Sequence, residues 1–233
     1  MRLLILLLAF ILSTNAVHAA LRVSEEEKAV FAFFQMGERV PHYQNWIFSI
    51  MEQETVPPEL QQDLYHAHET RLKWGFGTYD HTRDFLKIST KAELFLSKKD
   101  EQARIHFRFP GSAGEEYPYF PYQYTDQWIA LVVNDLGKFT TVPVTEEQEQ
   151  WLQQQFGSHK ILPVTMRMRI RPLSADLSEP LRIDQTDFWI MTGDIAYLVF
   201  EHKTLSGDEN EIFSYTAPWY LTETETELLE LLK

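Results

Sequence analysis

The chain contains no cysteine, so disulfides, thiolate nucleophiles and cysteine-ligated metals are all excluded. None of its asparagines, Asn15, Asn45, Asn134 and Asn210, opens an Asn-x-Ser/Thr glycosylation acceptor. Catalytic signatures are missing too. Gly111-Ser112-Ala113-Gly114 is one residue short of a nucleophile elbow, and there is no His-Glu-x-x-His, phosphate-binding glycine loop or dinucleotide fingerprint. Positive charge is scarce: 21 Lys and Arg against 34 Asp and Glu give a formal net charge of −13. That balance argues against nucleic acid or an anionic membrane surface as the main partner, since both require a basic footprint. No internal repeat, low-complexity tract or linker-like break in composition occurs.

The one long apolar run lies at the start. Arg2 supplies a positive charge, residues 3–12 are unbroken apolar sequence, Ser13-Thr14-Asn15 is polar, and Val17-His18-Ala19 places small residues at −3 and −1. This order is that of a secretory signal peptide cleaved after Ala19. The run is about half the roughly 20 residues a membrane-spanning helix needs, so no transmembrane span is expected after cleavage. Loss of Arg2 makes the mature chain one unit more negative than the −13 of the whole. Export without cysteine or glycosylation acceptors points to a bacterial periplasm. A chain this long buries enough surface to fold without disulfide staples.

Three helices are expected first. Ser24 and Glu27 form a capping box ahead of Val30, Phe33 and Phe34, with Gly37 as the stop. Pro41 opens a second helix carrying Tyr43, Ile47, Ile50 and Met51, which ends before Pro57-Pro58. A third begins near Pro58 and presents Leu60, Leu64, Ala67 and His68 until Gly75 and Gly77 break it. From about residue 84 the period becomes two. Residues 91–97 and 102–109 read as a hairpin around a four-residue turn, which sets Glu93 opposite His106 and Phe95 opposite Arg104. Residues 127–134 form a strand apolar enough to be covered on both faces. Thr145 and Gln148 cap a helix that ends at Gly157.

Strands follow at 164–171, at 187–191 as a short extended piece, at 194–204, and at 211–216 after a turn at 206–210. Residues 110–118 and 172–180 are expected as loops, and residues 224–232 as a short C-terminal helix. Helices followed by mostly antiparallel strands define an α+β fold with the N-terminal helices packed on the sheet. Residues 20–233 are expected to form a single domain.

Two features suggest a binding site. Arg167, Arg169 and Arg171 share one face of their strand, and Arg104, His106 and Arg108 share one face of theirs, because side chains alternate along a strand. Arginine suits bidentate recognition of carboxylate or phosphate. The structural alternative is cross-strand pairing with acids. The second feature is the aromatic segment 117–124, with Tyr117, Tyr119, Tyr122 and Tyr124 held extended by prolines, which offers rings for stacking or simply covers the core.

His66 and His68 are two apart on a helix and point roughly 200° apart, so they cannot share a metal. Asp80, His81 and Asp84 match neither a zinc nor an EF-hand spacing. No metal or cofactor is expected. The sequence therefore favours a non-catalytic exported binding or scaffolding module for an anionic small molecule or envelope component. The alternative is a cell-envelope hydrolase of glycan or peptide, with the aromatic segment as platform and a carboxylate pair as acid and base.

Overall fold

The computed structural model describes residues 23–54, 57–99, 102–109, 119–157, 159–183, 185–203 and 208–221. The expected signal peptide, Tyr117 and the expected helix at 224–232 lie outside the described residues. The architecture is α+β, as expected: helices come first, a large mostly antiparallel sheet follows, and one further helix is inserted between strands. The residues group into two compact units. One runs up to Asp80 and includes Gln123–Gln127; the other comprises His81–Tyr122 and the chain from Trp128 on.

In the helical unit, α1 (Glu25–Met36) begins with the full capping box: Glu27 N–H donates to Ser24 Oγ at 3.1 Å and Ser24 N–H to Glu27 Oε2 at 3.0 Å. Such a cap is worth about 1 kcal/mol. Five consecutive residues, Ala29 to Phe33, are buried. Helix α2 (Tyr43–Gln53) starts after His42, so Pro41 lies just before the helix, its carbonyl accepting from Tyr43 N–H at 3.0 Å, and not in the first turn. A 3-10 turn at Pro58–Leu60 leads into α3 (Gln61–Thr78).

Helix α3 runs through Gly75 and Gly77, contrary to the expectation that they break it. Gly75 is there for closeness: a Cβ would sit 3.1 Å from Phe31 Cε2, so its bare backbone lets the two helices approach. Phe31 packs edge-on against Phe76 with ring centres 5.6 Å apart, and Gln35 Nε2 ties α1 to the end of α3 by donating to the carbonyls of Phe76 (3.0 Å) and Tyr79 (2.7 Å).

The second unit is built on an eight-stranded sheet ordered β3-β4-β7-β6-β1-β2-β5, with β8 also paired to β7. The strands are β1 (Leu86–Lys99), β2 (Gln102–Arg108), β3 (Tyr119–Tyr124), β4 (Gln127–Val133), β5 (Thr141–Pro143), β6 (Leu162–Ile183), β7 (Thr186–Lys203) and β8 (Glu209–Thr216). β4 pairs with β7 in parallel, and its residues 129–131 are buried. Helix α4 (Glu146–Phe156) carries the expected Thr145–Gln148 capping box, stops at Gly157 with φ +52, and buries Leu152 and Phe156. Phe107 and Phe200 stack nearly parallel in the core, their centres 3.6 Å apart.

Three expectations about the sheet are corrected. The β1–β2 hairpin leaves two residues between its strands where four were expected, so Glu93 faces Arg108, Phe95 faces His106 and Ser97 faces Arg104. A slip of two preserves the face of every side chain, because the pleat has period two. Residues 172–180 belong to β6 and are not a loop. The chain absorbs Pro172 through a register shift at Pro172/Ser174, leaves residues 177–180 without a paired residue on β7, and rejoins it at Leu181 opposite Phe188. Residues 187–191 and 194–204 are likewise one strand, β7, bulged opposite Arg169/Ile170.

Candidate functional site

The register fixes where the six expected cations lie. β1 has β6 on one side and β2 on the other. Lys87 pairs with Arg169, Ser89 with Arg167, and Glu93 with Arg108, so these residues project from the same side of the sheet. The opposite side carries Leu86, Ile88, Ala92 and Leu94, all buried. Arg104, His106, Arg108, Arg167, Arg169 and Arg171 thus share the outward face across three strands.

Most of that charge has a local partner. Arg167 bridges Glu201 at 2.5 Å and Glu209 at 3.0 Å, and its hydrogen bond holds the Glu209 carboxyl below the usual carboxylate range. Arg108 pairs with Glu93 and lies over the Phe95 ring at 5.1 Å. Arg169 donates to Tyr220 Oη at 2.7 Å, and Arg171 stacks on Trp219 at 4.1 Å. His106 hydrogen-bonds Ser97 at 2.6 Å and Thr141 at 3.0 Å. Arg104 is exposed.

The aromatic segment is dispersed. Residues 119–124 enter the sheet as edge strand β3, the position at which a strand tolerates a proline such as Pro121. Tyr122 is buried and donates to the Lys87 carbonyl at 3.2 Å; Tyr119 packs on Phe188 with ring centres 5.5 Å apart. Tyr124 alone reaches a cleft, in the helical unit. Behind it Thr125, a β-branched residue, adopts φ +53 at the hairpin tip, an uncommon conformation that turns the chain within two residues.

The cleft measures about 990 Å³ and opens beside α3, which presents Leu64, Ala67, Arg71 and Trp74 at successive turns, with Ile50 and Glu54 across from them. Part of its polar lining is a triad centred on the buried Glu27. Glu27, 3 % exposed, accepts from Ser24 N–H through one carboxylate oxygen, while the other meets Arg71 Nη1 at 2.6 Å and Tyr124 Oη at 2.9 Å. Burial, reinforced by the Glu27 charge, pushes the Tyr124 phenol well above its ordinary value. Burial works against the Arg71 cation, but the charge and hydrogen bond of Glu27 outweigh it and raise its pKa.

Tyr124 was among the expected site residues; Glu27, expected only as a capping residue, and Arg71 were not. Their partnership spans most of the chain, with Tyr124 lying 97 residues from Glu27. The only local signals were an acid at N3 just ahead of the apolar run from Ala29 to Phe33 and an arginine beside Leu72 in α3. His66 and His68 both line the same cleft: His68 Nε2 lies 3.6 Å from Glu54 Oε2 without a hydrogen-bond partner, and His66 is exposed and pairs with Glu69. The chain matches no protein-family model, and no curated protein or solved structure matches it.

Proposed function

We propose that this is an exported, non-catalytic binding module that receives its ligand in the cleft of the helical unit. The observation that carries the reading is the cleft itself: about 990 Å³, its accessible surface mostly apolar and walled by Ile50, Leu64, Ala67 and Trp74, with the Glu27–Arg71–Tyr124 group and Glu54, His66, His68 and Thr70 as its polar residues. Concave, mostly apolar sites of a few hundred to about 1,000 Å³ with few polar anchors are the usual form of small-molecule sites. Trp74 is 47 % exposed, a large ring left in water unless something covers it.

The chemistry of the triad favours binding over hydrolysis. A glycoside hydrolase needs one carboxyl with a proton to give and another free to attack or to activate water. Both oxygens of Glu27 already accept hydrogen bonds, from three donors in all, which leaves it no such freedom. Titrating the protein lacking residues 1–19 with N-phenyl-1-naphthylamine tests the reading. Saturable fluorescence enhancement at about one probe per chain supports it, and a flat titration of folded protein refutes it.

The outward sheet face supports a second reading, an anionic ligand held by its cations. The supporting observation is that the register gathers all six on one side. Replacing Lys91, Arg104 and Arg169 with glutamine should then weaken binding of polyphosphate, with a steep salt dependence. Export to a bacterial periplasm belongs to this proposal, and the intact mass of protein recovered from the producing cell tests it: the mature chain should begin at Ala20.

A further inference from the structure

We infer that the ligand of the helical cleft is an uncharged amphiphile: a single acyl or alkyl chain bearing a hydroxyl or ester head that accepts hydrogen bonds. This rests on the cleft being a binding site and specifies what it selects.

The selection follows from how the charges in the cleft are arranged. Glu27 and Arg71 are each other's partners at 2.6 Å, so the floor offers a dipole and no net charge. An anionic head would have to share Arg71 with Glu27 and bring a second negative charge to a wall that already holds Glu54. A cationic head would have to reach Glu27, whose side chain is 5 % exposed and whose oxygens are already bonded, or settle for Glu54, whose side chain is 48 % exposed and already lies 3.6 Å from His68 Nε2, a weak, water-screened pairing. Either ion would leave water for a partner that is already shared, as Arg71 is with Glu27, or screened by water, as Glu54 is, and desolvation of a poorly paired charge is a large penalty.

A neutral oxygen meets neither obstacle. Arginine carries five N–H donors, and Arg71 keeps 26 % of its side chain exposed while one terminal nitrogen holds Glu27. The Thr70 hydroxyl also lines the cleft. Tyr124 spends its proton on Glu27, so it offers the head only its lone pairs. The rest of the lining suits hydrocarbon: Ile50, Leu64, Ala67 and the face of Trp74. His68 also lines the cleft, but its Nε2 atom is buried.

The test is displacement of N-phenyl-1-naphthylamine from the protein lacking residues 1–19 by three chain-matched amphiphiles below their micellar concentrations: 1-monododecanoylglycerol, dodecanoate and dodecyltrimethylammonium. The monoacylglycerol should displace the probe at a concentration at least tenfold lower than either ion. Ala67→Trp, which fills the cleft from an exposed position, should abolish probe binding while the far-ultraviolet circular dichroism spectrum is unchanged; Gln154→Ala, at an exposed position of α4 in the other unit, should alter neither. Dodecanoate or the ammonium competing as well as the monoacylglycerol overturns the ligand class and leaves the binding reading intact. Probe binding that survives in folded Ala67→Trp overturns the location. Absence of probe binding to the unmodified protein overturns the binding reading itself.

Discussion

Glu27 does two jobs with one carboxylate. One oxygen closes the N-terminus of α1, and the other neutralises Arg71 and takes the proton of Tyr124. Tyr124→Phe removes one of three donors and leaves the ion pair, so it should cost about 1 to 2 kcal/mol at neutral pH. The sign of its pH dependence is fixed. The phenol is raised in the folded protein, so its contribution is fully present below the unfolded value of about 10 and is lost as pH rises through the folded value. Denaturant midpoints measured from pH 9 upward should therefore fall more steeply for the unmodified protein than for Tyr124→Phe. Equal slopes would mean the phenol is not held neutral by its site.

At the scale of the element, two glycines, one in a strand and one in a helix, separate close approach from mere tolerance. At Gly193 in β7 an added Cβ would lie 2.5 Å from Ile170 Cγ2 and 2.8 Å from the Arg171 carbonyl oxygen, and a backbone atom cannot yield cheaply. Gly193→Ala should cost about 3 kcal/mol through overpacking. Gly77 in α3 has nothing within 4 Å, so Gly77→Ala should gain about 0.5 to 1 kcal/mol by lowering the backbone entropy lost on folding. Chemical denaturation reads both, and the prediction is their opposite sign.

These elements also mark what the sequence made legible. Both capping boxes, the clean alternation of β6 and the apolar run of β4 were visible, because each is a local pattern of side chains a few residues apart. The failures were non-local. Gly75 and Gly77 read as breakers, although packing against Phe31 rewards the first and the second costs the helix too little to stop it. Pro172 read as a loop, although a register shift lets β6 carry it. The hairpin register was off by two because turn length, not pattern, sets it, and a shift of two changes no face.

The site divides along the same line. That Arg104, His106 and Arg108 align with Arg167, Arg169 and Arg171 depends on which strands are neighbours, yet the alternation that makes it possible was on view. The partners Glu201, Glu209 and Trp219, which take up much of that charge, come from strand order and from the chain after β8. Replacing Arg167, Arg169 and Arg171 together should therefore lower stability, since it removes a pair of ion contacts and a stacked guanidinium; the thermal midpoint reads this. The triad of Glu27, Arg71 and Tyr124 was invisible for a simpler reason, that no spacing in sequence announces a contact between residues 27, 71 and 124.

For the whole molecule, net charge and cleft point to different partners. A chain of net charge −13 repels anionic polymers at long range, and on the sheet face Arg108 and Arg167 are answered by acids beside them. The apolar cleft needs no long-range steering. If residues 20–233 behave as one cooperative domain, far-ultraviolet circular dichroism and tryptophan fluorescence should report a single coincident unfolding transition; separate transitions would show that the two compact units unfold independently.

The measurement closest to the central claim is tryptophan emission during titration with 1-monododecanoylglycerol, compared between the unmodified protein and Trp74→Phe. Ligand seated in the cleft covers an indole that is 47 % exposed, so the unmodified protein should show a saturable blue shift that Trp74→Phe lacks. The same shift in both proteins, or none in either, would contradict a binding cleft walled by α3.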